Sequence, residues 1–216
     1  MKKIVIMGAG GFGAEAIWAL EEMNKLEPSS ENWNILGYVD DDKSKKGKFF
    51  YSYKTLGAPG EVAKNYPGER LWYFCAIGDN DTRSNIVKCL DELNWKAATL
   101  IHPSAIMAKN IEIGEGSYIG PASVICPNVT IGKHVLINTR AAIGHDTVME
   151  DFSQACPGAQ INGFCVVGCS SFIGSNASII PGIRIGERAI VGSNSQVLRA
   201  VKNDITVNGV PAIKVS

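Results

Sequence analysis

The second half of the chain carries a strict six-residue repeat. Taken every sixth residue from Ile113 to Val197, thirteen of fifteen positions are Ile or Val, and the phase does not slip. The two exceptions are Met149 and Ala155. Neither the 3.6-residue period of a helix nor the two-residue period of a strand produces this pattern, so it indicates a structural repeat.

A second column of residues supports this interpretation. The residue four positions after each branched one is usually small, as at Ser117 and Ala141, and Gly often follows the branched residue directly, as at Gly144. Such a hexad makes a short strand and a corner, with the branched side chain inside and Gly relieving the turn. Three sides close a triangular coil of eighteen residues, so the fifteen hexads predict a parallel β-helix of five coils, stacked about 4.8 Å apart.

Length, charge and cysteine content limit the remaining possibilities. With 216 residues and about half of them outside the repeat, we expect two domains, residues 1–101 and 102–216. Lys and Arg total 21, as do Asp and Glu, so we expect no nucleic-acid or anionic-membrane partner. The N-terminus resembles neither a signal peptide nor a membrane span, and the six cysteines contain no C-x-x-C pair. We therefore expect a cytoplasmic protein with reduced thiols.

The first half of the chain alternates strand and helix patterns. Strands are predicted over residues 3–7, 33–39, 71–77 and 96–101, helices over 11–26 and 82–93, and an irregular Lys-rich stretch around 43–53. This order predicts a small parallel α/β sheet of Rossmann type. Ligands bind such sheets at the carboxyl ends of the strands, so the turns that follow the strands are the candidate binding segments.

Three turns meet that criterion, and we name them by their residues. The glycine-rich turn, residues 8–13, satisfies G-x-G-x-x-G between a strand and a helix, so its backbone N–H groups could approach a phosphate. The aspartate turn, residues 40–42, could accept hydrogen bonds from ribose or base, and the Gly78 turn comprises residues 76–80. A domain of this size holds only half of a classical dinucleotide fold, so a mononucleotide fits better than NAD. A purely structural role for the glycines remains open.

Three histidines could supply a catalytic base. His102 precedes Pro103 and is interpreted as a hinge or capping residue, and His134 as a solvated position on a wall of the β-helix. His145 differs, because it follows a Gly at a turn and precedes Asp146. Counting by eighteen residues predicts that its imidazole stacks one strand spacing from Gly163, where the absence of a side chain leaves room for a ligand.

The region around His145 also breaks the repeat. Met149 and Ala155, the two exceptions among the branched positions, come immediately after it. Because local rules tend to be broken at functional sites, this supports His145 as the candidate base.

The motifs together resemble the NeuD-type sugar acyltransferases, which belong to the hexapeptide-repeat acyltransferases. The resemblance covers essentially the whole chain and is carried by G-A-G-G-F-G, V-D-D-D, A-I-G-D-N, L-I-H-P-S-A, I-N-T-R-A-A-I-G-H-D and the hexads. It implies a left-handed β-helix, an exception to the right-handed crossover rule. It also implies a homotrimer with active sites between protomers and acetyl transfer from acetyl-CoA to a nucleotide-linked sugar, foremost N-acetylation of a UDP- or GDP-amino sugar for surface glycan biosynthesis.

The resemblance further implies roles for individual residues. His145 corresponds to the general base, Asp146 to its acidic partner and Asn138 to a polar residue near the same site. The positions implied for acetyl-CoA are Gln154, Gly163, Ser175 and Ser193. Those implied for the nucleotide sugar are Gly10, Gly11, Phe12, Asp40, Asp41 and Gly78. Relatives often carry His or another polar residue at the positions of Phe12 and Gln154, so this chain departs from the family there; no metal is implied.

Three other functions stay open as alternatives. One His base suits a hydroxyl acceptor as well as an amine, so a sialic-acid type O-acetyltransferase is possible. A non-catalytic nucleotide-sugar-binding scaffold would use the β-helix only for assembly. A zinc enzyme of the carbonic anhydrase type needs three converging histidines, two of them closely spaced, whereas His134 and His145 are eleven residues apart.

Overall fold

The computed structural model describes residues 1–26 and 32–215. It divides into two compact units, Met1–Ala98 and Thr99–Ser216. Within the part of the chain described, no helix is long and apolar enough to cross a membrane.

The first unit is a four-stranded parallel sheet with helices. In chain order its elements are β1 (Lys2–Met7), α1 (Gly11–Leu26), β2 (Trp33–Val39), β3 (Phe49–Phe50), β4 (Tyr53–Lys54), α2 (Pro59–Asn65), β5 (Trp72–Cys75), α3 (Asn80–Glu92) and β6 (Lys96–Ala97). The sheet order is β2-β1-β5-β6, and every pair in it is parallel. Ile4, Val5 and Ile6 are fully buried in β1, as expected of a strand covered on both faces. The predicted α/β sheet is therefore confirmed.

Three details of this unit differ from the sequence predictions. The predicted strand over 71–77 is shorter, since β5 covers only four residues. The stretch predicted to be irregular contains the antiparallel hairpin β3–β4, and α2 follows it. With seven residues and only Val62 buried, α2 is too short to show a helical period in the sequence.

The predicted strand over 96–101 is wrong, because the segment divides between the two units. Lys96–Ala97 joins the first sheet as β6, whereas Leu100–Ile101 pairs with Tyr118–Ile119 of the β-helix. The sequence shows no break, since no Gly or Pro interrupts residues 96–101 and only the strand partners of the two halves differ. The division between the units consequently lies between Ala98 and Thr99.

The second unit is a parallel β-helix with three walls. Its strands are β7 (Leu100–Ile101), β8 (Ile106–Met107), β9 (Glu112–Ile113), β10 (Tyr118–Ile119), β11 (Val124–Ile125), β12 (Thr130–Ile131), β13 (Leu136–Ile137), β14 (Ala142–Ile143), β15 (Val148–Met149), β16 (Gln154–Ala155), β17 (Gln160–Ile161), β18 (Val166–Val167), β19 (Phe172–Ile173), β20 (Ser178–Ile179), β21 (Arg184–Ile185), β22 (Ile190–Val191), β23 (Gln196–Val197), β24 (Thr206–Asn208) and β25 (Ile213–Lys214). We call the wall that begins with β7 sheet 1, that with β8 sheet 2 and that with β9 sheet 3. Corner 1 joins sheets 1 and 2, and corner 2 joins sheets 2 and 3.

The coil length is the one predicted from the repeat. Residues eighteen apart pair along each wall, for example Tyr118 with Leu136 and Ile119 with Ile137. The branched residues that define the repeat form the buried core, each contributing about 1.5–3 kcal/mol of hydrophobic stabilisation. The β-helix has about six coils instead of five, because the same phase extends back to Met107 and Ile101.

The glycines that follow the branched residues do not relieve the turn, as the sequence analysis assumed. The left-handed residue lies two positions later, with φ between 52° and 76° at every sixth residue from Asn110 to Asn194. The glycines instead permit close stacking: a Cβ on Gly168 would lie 2.7 Å from the backbone N of Glu187 in the next coil. Gly is therefore required at these positions by the approach of two backbones.

Candidate active site

His145 and Asp146 form a hydrogen-bonded pair at corner 2. The Nδ1 atom of His145 lies 2.8 Å from Oδ2 of Asp146. Asp146 occupies the left-handed position of the corner, with φ 57°, a conformation that Asp tolerates better than most residues. With Nδ1 facing the carboxylate, Nε2 is the ring nitrogen available to a substrate. The side chain of His145 is 54% exposed, so Nε2 is accessible.

Asp146 is also held from the preceding coil. Asn128, eighteen residues earlier, donates from Nδ2 to Oδ1 of Asp146 at 3.2 Å. The hydrogen bond with His145, followed by that from Asn128, lowers the pKa of Asp146 below its ordinary value. The carboxylate therefore stays ionised and orients the imidazole. Asn128 is not among the predicted site residues, although the eighteen-residue spacing places it next to Asp146.

The predicted stacking of His145 on Gly163 is confirmed. A Cβ added to Gly163 would lie 2.7 Å from both Cε1 and Nε2 of His145, so only Gly allows the ring its observed position. The next residue, Phe164, packs edge-to-face against the imidazole with ring centroids 4.9 Å apart. Phe164 is 61% exposed and was also missed. An exposed aromatic ring beside the candidate base could contact the molecule that the base deprotonates.

The remaining residues implied for acetyl transfer lie on another part of the β-helix. Asn138, Ser175 and Ser193 follow strands of sheet 1 at corner 1, and Gln154 lies within sheet 1. Sheet 2 separates corner 1 from corner 2. Within one chain, the structure therefore does not bring this group together with His145.

Two of these side chains are already engaged with the protein. Asn138 is buried and donates from Nδ2 to the carbonyl of Ala155 at 3.1 Å. Asn162, at corner 2 of the next coil, makes the equivalent hydrogen bond to the carbonyl of Ile179. Gln154 is also buried; its Nε2 lies 3.5 Å from Sγ of Cys156, and its Oε1 has no hydrogen-bond partner among the described residues. An unsatisfied buried amide oxygen is uncommon and marks this position for attention.

The backbone groups implied for acetyl-CoA are available. No described residue accepts a hydrogen bond from the N–H of Gly163, Ser175 or Ser193. These three positions are corner residues whose N–H groups point out of the strand ladders. They can therefore donate to a ligand, as the resemblance requires.

The other two histidines have structural environments. His102 is buried, and its Nδ1 accepts from the Ser104 N–H at 3.1 Å and lies 2.8 Å from Ser104 Oγ, an arrangement that fits the expected capping role. The prediction that His134 is solvated is wrong: it is 4% exposed and stacks on Phe152, eighteen residues later. Among the described residues, no group of three or more His, Cys, Asp and Glu side chains could hold a metal ion.

In the first unit, the glycine-rich turn leaves open space above its backbone. A Cβ on Gly10 or Gly11 would meet no atom within 4 Å, and the same is true of Gly78. The ring of Phe12 packs against Phe74 with centroids 6.0 Å apart and is half-buried. The structure thus gives Phe12 a packing role, whereas the backbone N–H groups of the three glycines donate to no described residue and can face a ligand.

Asp40 joins the first two turns. Its Oδ2 accepts from the Ala9 N–H at 2.9 Å and from Lys45 Nζ at 2.8 Å, and its Oδ1 accepts from the Asp42 N–H at 3.0 Å. Burial alone would raise the pKa of Asp40, but the bonds from Lys45, Asp42 and Ala9 together lower it. Both oxygens are thus occupied by protein donors, and Asp40 orders the turns. Asp41 is exposed and remains available to a ligand.

Lys45 is a further residue near these turns that is not among the predicted site residues. The hydrogen bond to Asp40 is the largest of the effects that raise the pKa of Lys45. Its side chain is 41% exposed beside the glycine-rich turn, so it provides a fixed cation near the position expected for a phosphate.

Comparisons with known proteins match both units. Residues 3–90 match the family described as PglD N-terminal domain, and residues 110–145 and 164–199 match bacterial transferase hexapeptide repeats. GDP-perosamine N-acetyltransferase from Escherichia coli O157:H7 is 30% identical over 178 residues, which are 82% of this chain and 78% of that protein.

Solved structures of similar proteins cover the whole chain. A histidine-to-asparagine mutant of perosamine N-acetyltransferase from Caulobacter crescentus, in complex with CoA and GDP-perosamine, has a TM-score of 0.90 and 26% identity, covering 100% of this chain and 98% of that one. WeeI from Acinetobacter baumannii AYE has a TM-score of 0.89 and 26% identity, covering 100% of both chains. The acetyltransferase domain of PglB from Neisseria gonorrhoeae FA1090, in complex with acetyl coenzyme A, has a TM-score of 0.85 and 25% identity over 99% of each chain. Taken with the two-unit fold and the His145–Asp146 pair, these matches show that the chain belongs to the NeuD-type family of hexapeptide-repeat sugar acetyltransferases.

Proposed function

We propose that the protein transfers the acetyl group of acetyl-CoA to the amine of a nucleotide-linked amino sugar. The observation that carries this is the His145–Asp146 pair, with its ring against Gly163, in a chain that matches the perosamine enzyme along its whole length. That enzyme is solved with CoA and GDP-perosamine, so a GDP- or UDP-linked amino sugar is the acceptor class to test first.

The reaction uses His145 as general base. Nε2 takes a proton from the sugar amine as its nitrogen attacks the thioester carbonyl carbon of acetyl-CoA. The ionised carboxylate of Asp146, which lies against Nδ1 of His145, stabilises the imidazolium that forms. The backbone N–H of Gly163 is a candidate donor to the developing oxyanion. When the tetrahedral intermediate collapses, the C–S bond breaks and the imidazolium returns its proton to the CoA thiolate.

The two units divide the work. Residues 1–98 hold the nucleotide sugar through the backbone N–H groups of Gly10, Gly11 and Gly78 and through Asp41, with Asp40 keeping the turns in order. Residues 99–216 carry the acyl transfer. The six cysteines are free thiols, as is usual in cytoplasmic proteins, and we place the enzyme in the cytoplasm.

The active form is a trimer with sites between protomers. In one chain, Asn138, Gln154, Ser175 and Ser193 are separated from His145 by sheet 2. Two copies whose corners 1 and 2 face each other would bring both groups to one acetyl-CoA molecule, and a threefold arrangement closes this contact into three equivalent sites. Light scattering should give three times the protomer mass of 23.1 kDa.

An acetyl-transfer assay tests the function. The full chain is given acetyl-CoA with a panel of GDP- and UDP-linked 4-amino sugars and their 4-hydroxy counterparts, and thiol release is followed. We expect release with an amino sugar and a roughly hundredfold or greater loss in His145→Ala, within the usual contribution of a general base. Transfer to hydroxy sugars alone would establish the O-acetyltransferase alternative. Equal background release by wild type and His145→Ala across the panel would leave only a binding scaffold.

A further inference from the structure

Arg83 is a buried cation directly beneath the Gly78 turn. It lies in the first turn of α3 and is 0% exposed. Helical side chains lean towards the N-terminus of their helix, so the guanidinium reaches back under the residues that precede α3. Nothing in the acetyl-transfer mechanism described above uses this charge.

The guanidinium holds the turn at three points. Arg83 Nη1 donates to the carbonyl of Ile77 at 2.9 Å and to that of Gly78 at 3.4 Å. Arg83 Nη2 donates to Oδ1 of Asn80 at 2.8 Å. A planar fork with several donors can satisfy such a set of acceptors at once, which a single ammonium group cannot.

These bonds fix the direction of the backbone N–H groups. In a planar trans peptide the N–H points away from the carbonyl of the preceding residue. With the carbonyls of Ile77 and Gly78 turned towards Arg83, the N–H groups of Gly78 and Asp79 point to the opposite side. Both residues are exposed, and no described residue accepts from either N–H. The turn therefore presents two adjacent donors outwards.

Helix capping alone does not account for Arg83. Asp79 already caps α3 by accepting from the Thr82 N–H at 2.8 Å. Burial lowers the pKa of Arg83 to about 10, so the side chain remains charged at neutral pH in an environment that disfavours charge. A buried charge is costly, and here that cost is offset by the bonds through which Arg83 fixes the carbonyls of the turn.

We propose that Arg83 is a positioning residue that holds the N–H groups of Gly78 and Asp79 in the orientation that binds acceptor atoms of the nucleotide-linked sugar. This inference rests on the proposed function and adds the residue that sets the geometry of the acceptor site.

Steady-state kinetics of Arg83→Lys in the full chain test the inference. Lysine keeps the charge but replaces the fork with a single ammonium group, so the turn loses part of its fixed geometry. We expect the KM for the nucleotide sugar to rise about tenfold, the order of effect of one lost hydrogen bond to a charged group, whereas kcat at saturation and the KM for acetyl-CoA stay within about twofold. Val87→Ala is the matched control, because Val87 is buried one turn further along α3. It should change neither KM.

Three outcomes would overturn the inference: an unchanged KM for the nucleotide sugar in Arg83→Lys, an equal rise in both KM values, or the same rise in Val87→Ala. Calorimetric titration with GDP and with UDP measures nucleotide affinity directly and does not depend on catalysis. If the wild type binds a nucleotide but transfers no acetyl group, the proposed function fails, and a tenfold weaker nucleotide affinity in Arg83→Lys still supports the role of Arg83. If the wild type transfers acetyl and Arg83→Lys binds the nucleotide as tightly as the wild type, the role assigned to Arg83 is wrong and the proposed function stands.

Discussion

The β-helix and the α/β unit position their candidate functional residues in different ways. In the β-helix, residues eighteen apart lie on top of one another, so Asn128 meets Asp146 and Gly163 meets the ring of His145. In the α/β unit no period exists, and Asp40 connects turns thirty-one residues apart through the Ala9 N–H. A substitution in the β-helix should therefore act on the coil above or below it. In the α/β unit, its effects should spread to distant turns.

The largest effect is expected from adding one methyl group under the ring of His145, the proposed base. In Gly163→Ala the new Cβ would lie 2.7 Å from Nε2 of His145. The His145 side chain can rotate away from this Cβ without moving the backbone. We expect kcat to fall about a hundredfold or more, because the base leaves its position, while stability changes by less than about 1 kcal/mol. Acetyl-transfer kinetics and thermal unfolding measure the two effects.

Gly144→Ala provides the contrast on the neighbouring coil. Its Cβ would overlap the backbone N of Gly163, which cannot move without separating the coils. We expect the free energy of unfolding to fall by about 1–3 kcal/mol. Unfolding monitored by circular dichroism measures this change. If Gly163→Ala lost as much stability as Gly144→Ala, the distinction between a ring contact and a backbone contact would be wrong.

Asp40→Asn tests the connection of turns in the α/β unit. Removing the charge weakens three hydrogen bonds, so we expect about 1–3 kcal/mol less stability at pH 7 and weaker nucleotide binding. The folded pKa of Asp40 is lowered, so its contribution is complete above about pH 4 and is lost as the pH falls through the folded pKa. The difference between wild type and variant should therefore shrink below about pH 4.

Fluorescence isolates this unit, because all four tryptophans of the chain lie within residues 1–98. The exposed neighbour provides the control, as Asp41→Asn should leave unfolding unchanged. A wild-type to Asp40→Asn difference that stayed constant down to pH 2 would contradict the assigned role of the carboxylate.

The smallest effect is expected from Asn128→Ala. This change removes one of the two hydrogen bonds to the Asp146 carboxylate and leaves the His145 pair intact, so we expect kcat to fall about two- to fivefold with unchanged KM values. Asn176→Ala removes an Asn from the same left-handed position at corner 1, and it should leave kcat unchanged. A kcat loss in Asn128→Ala no greater than that in Asn176→Ala would remove Asn128 from the account.

The sequence predicts more of the β-helix than of the α/β unit. The period located the inward residues from Ile113 to Val197, the eighteen-residue coil and the contact of His145 with Gly163. The eighteen-residue spacing also places Phe152 over His134, but the period alone does not show that the two rings stack and bury the imidazole. In the α/β unit the strands and long helices were predictable, whereas the roles of Asp40 and Arg83 depend on which distant groups they reach.

The central claim is that acetyl transfer takes place between corner 2 of one copy and corner 1 of another. Co-expression of two differently tagged variants tests it: His145→Ala removes the base, and Ser175→Trp fills the groove at corner 1. Each variant alone should be inactive, whereas purified mixed trimers should recover about a third of the wild-type activity, because one of the three sites in every mixed trimer pairs an intact corner 2 with an intact corner 1. Mixed trimers no more active than the two variants alone would contradict the claim, since each chain would then carry its own complete site.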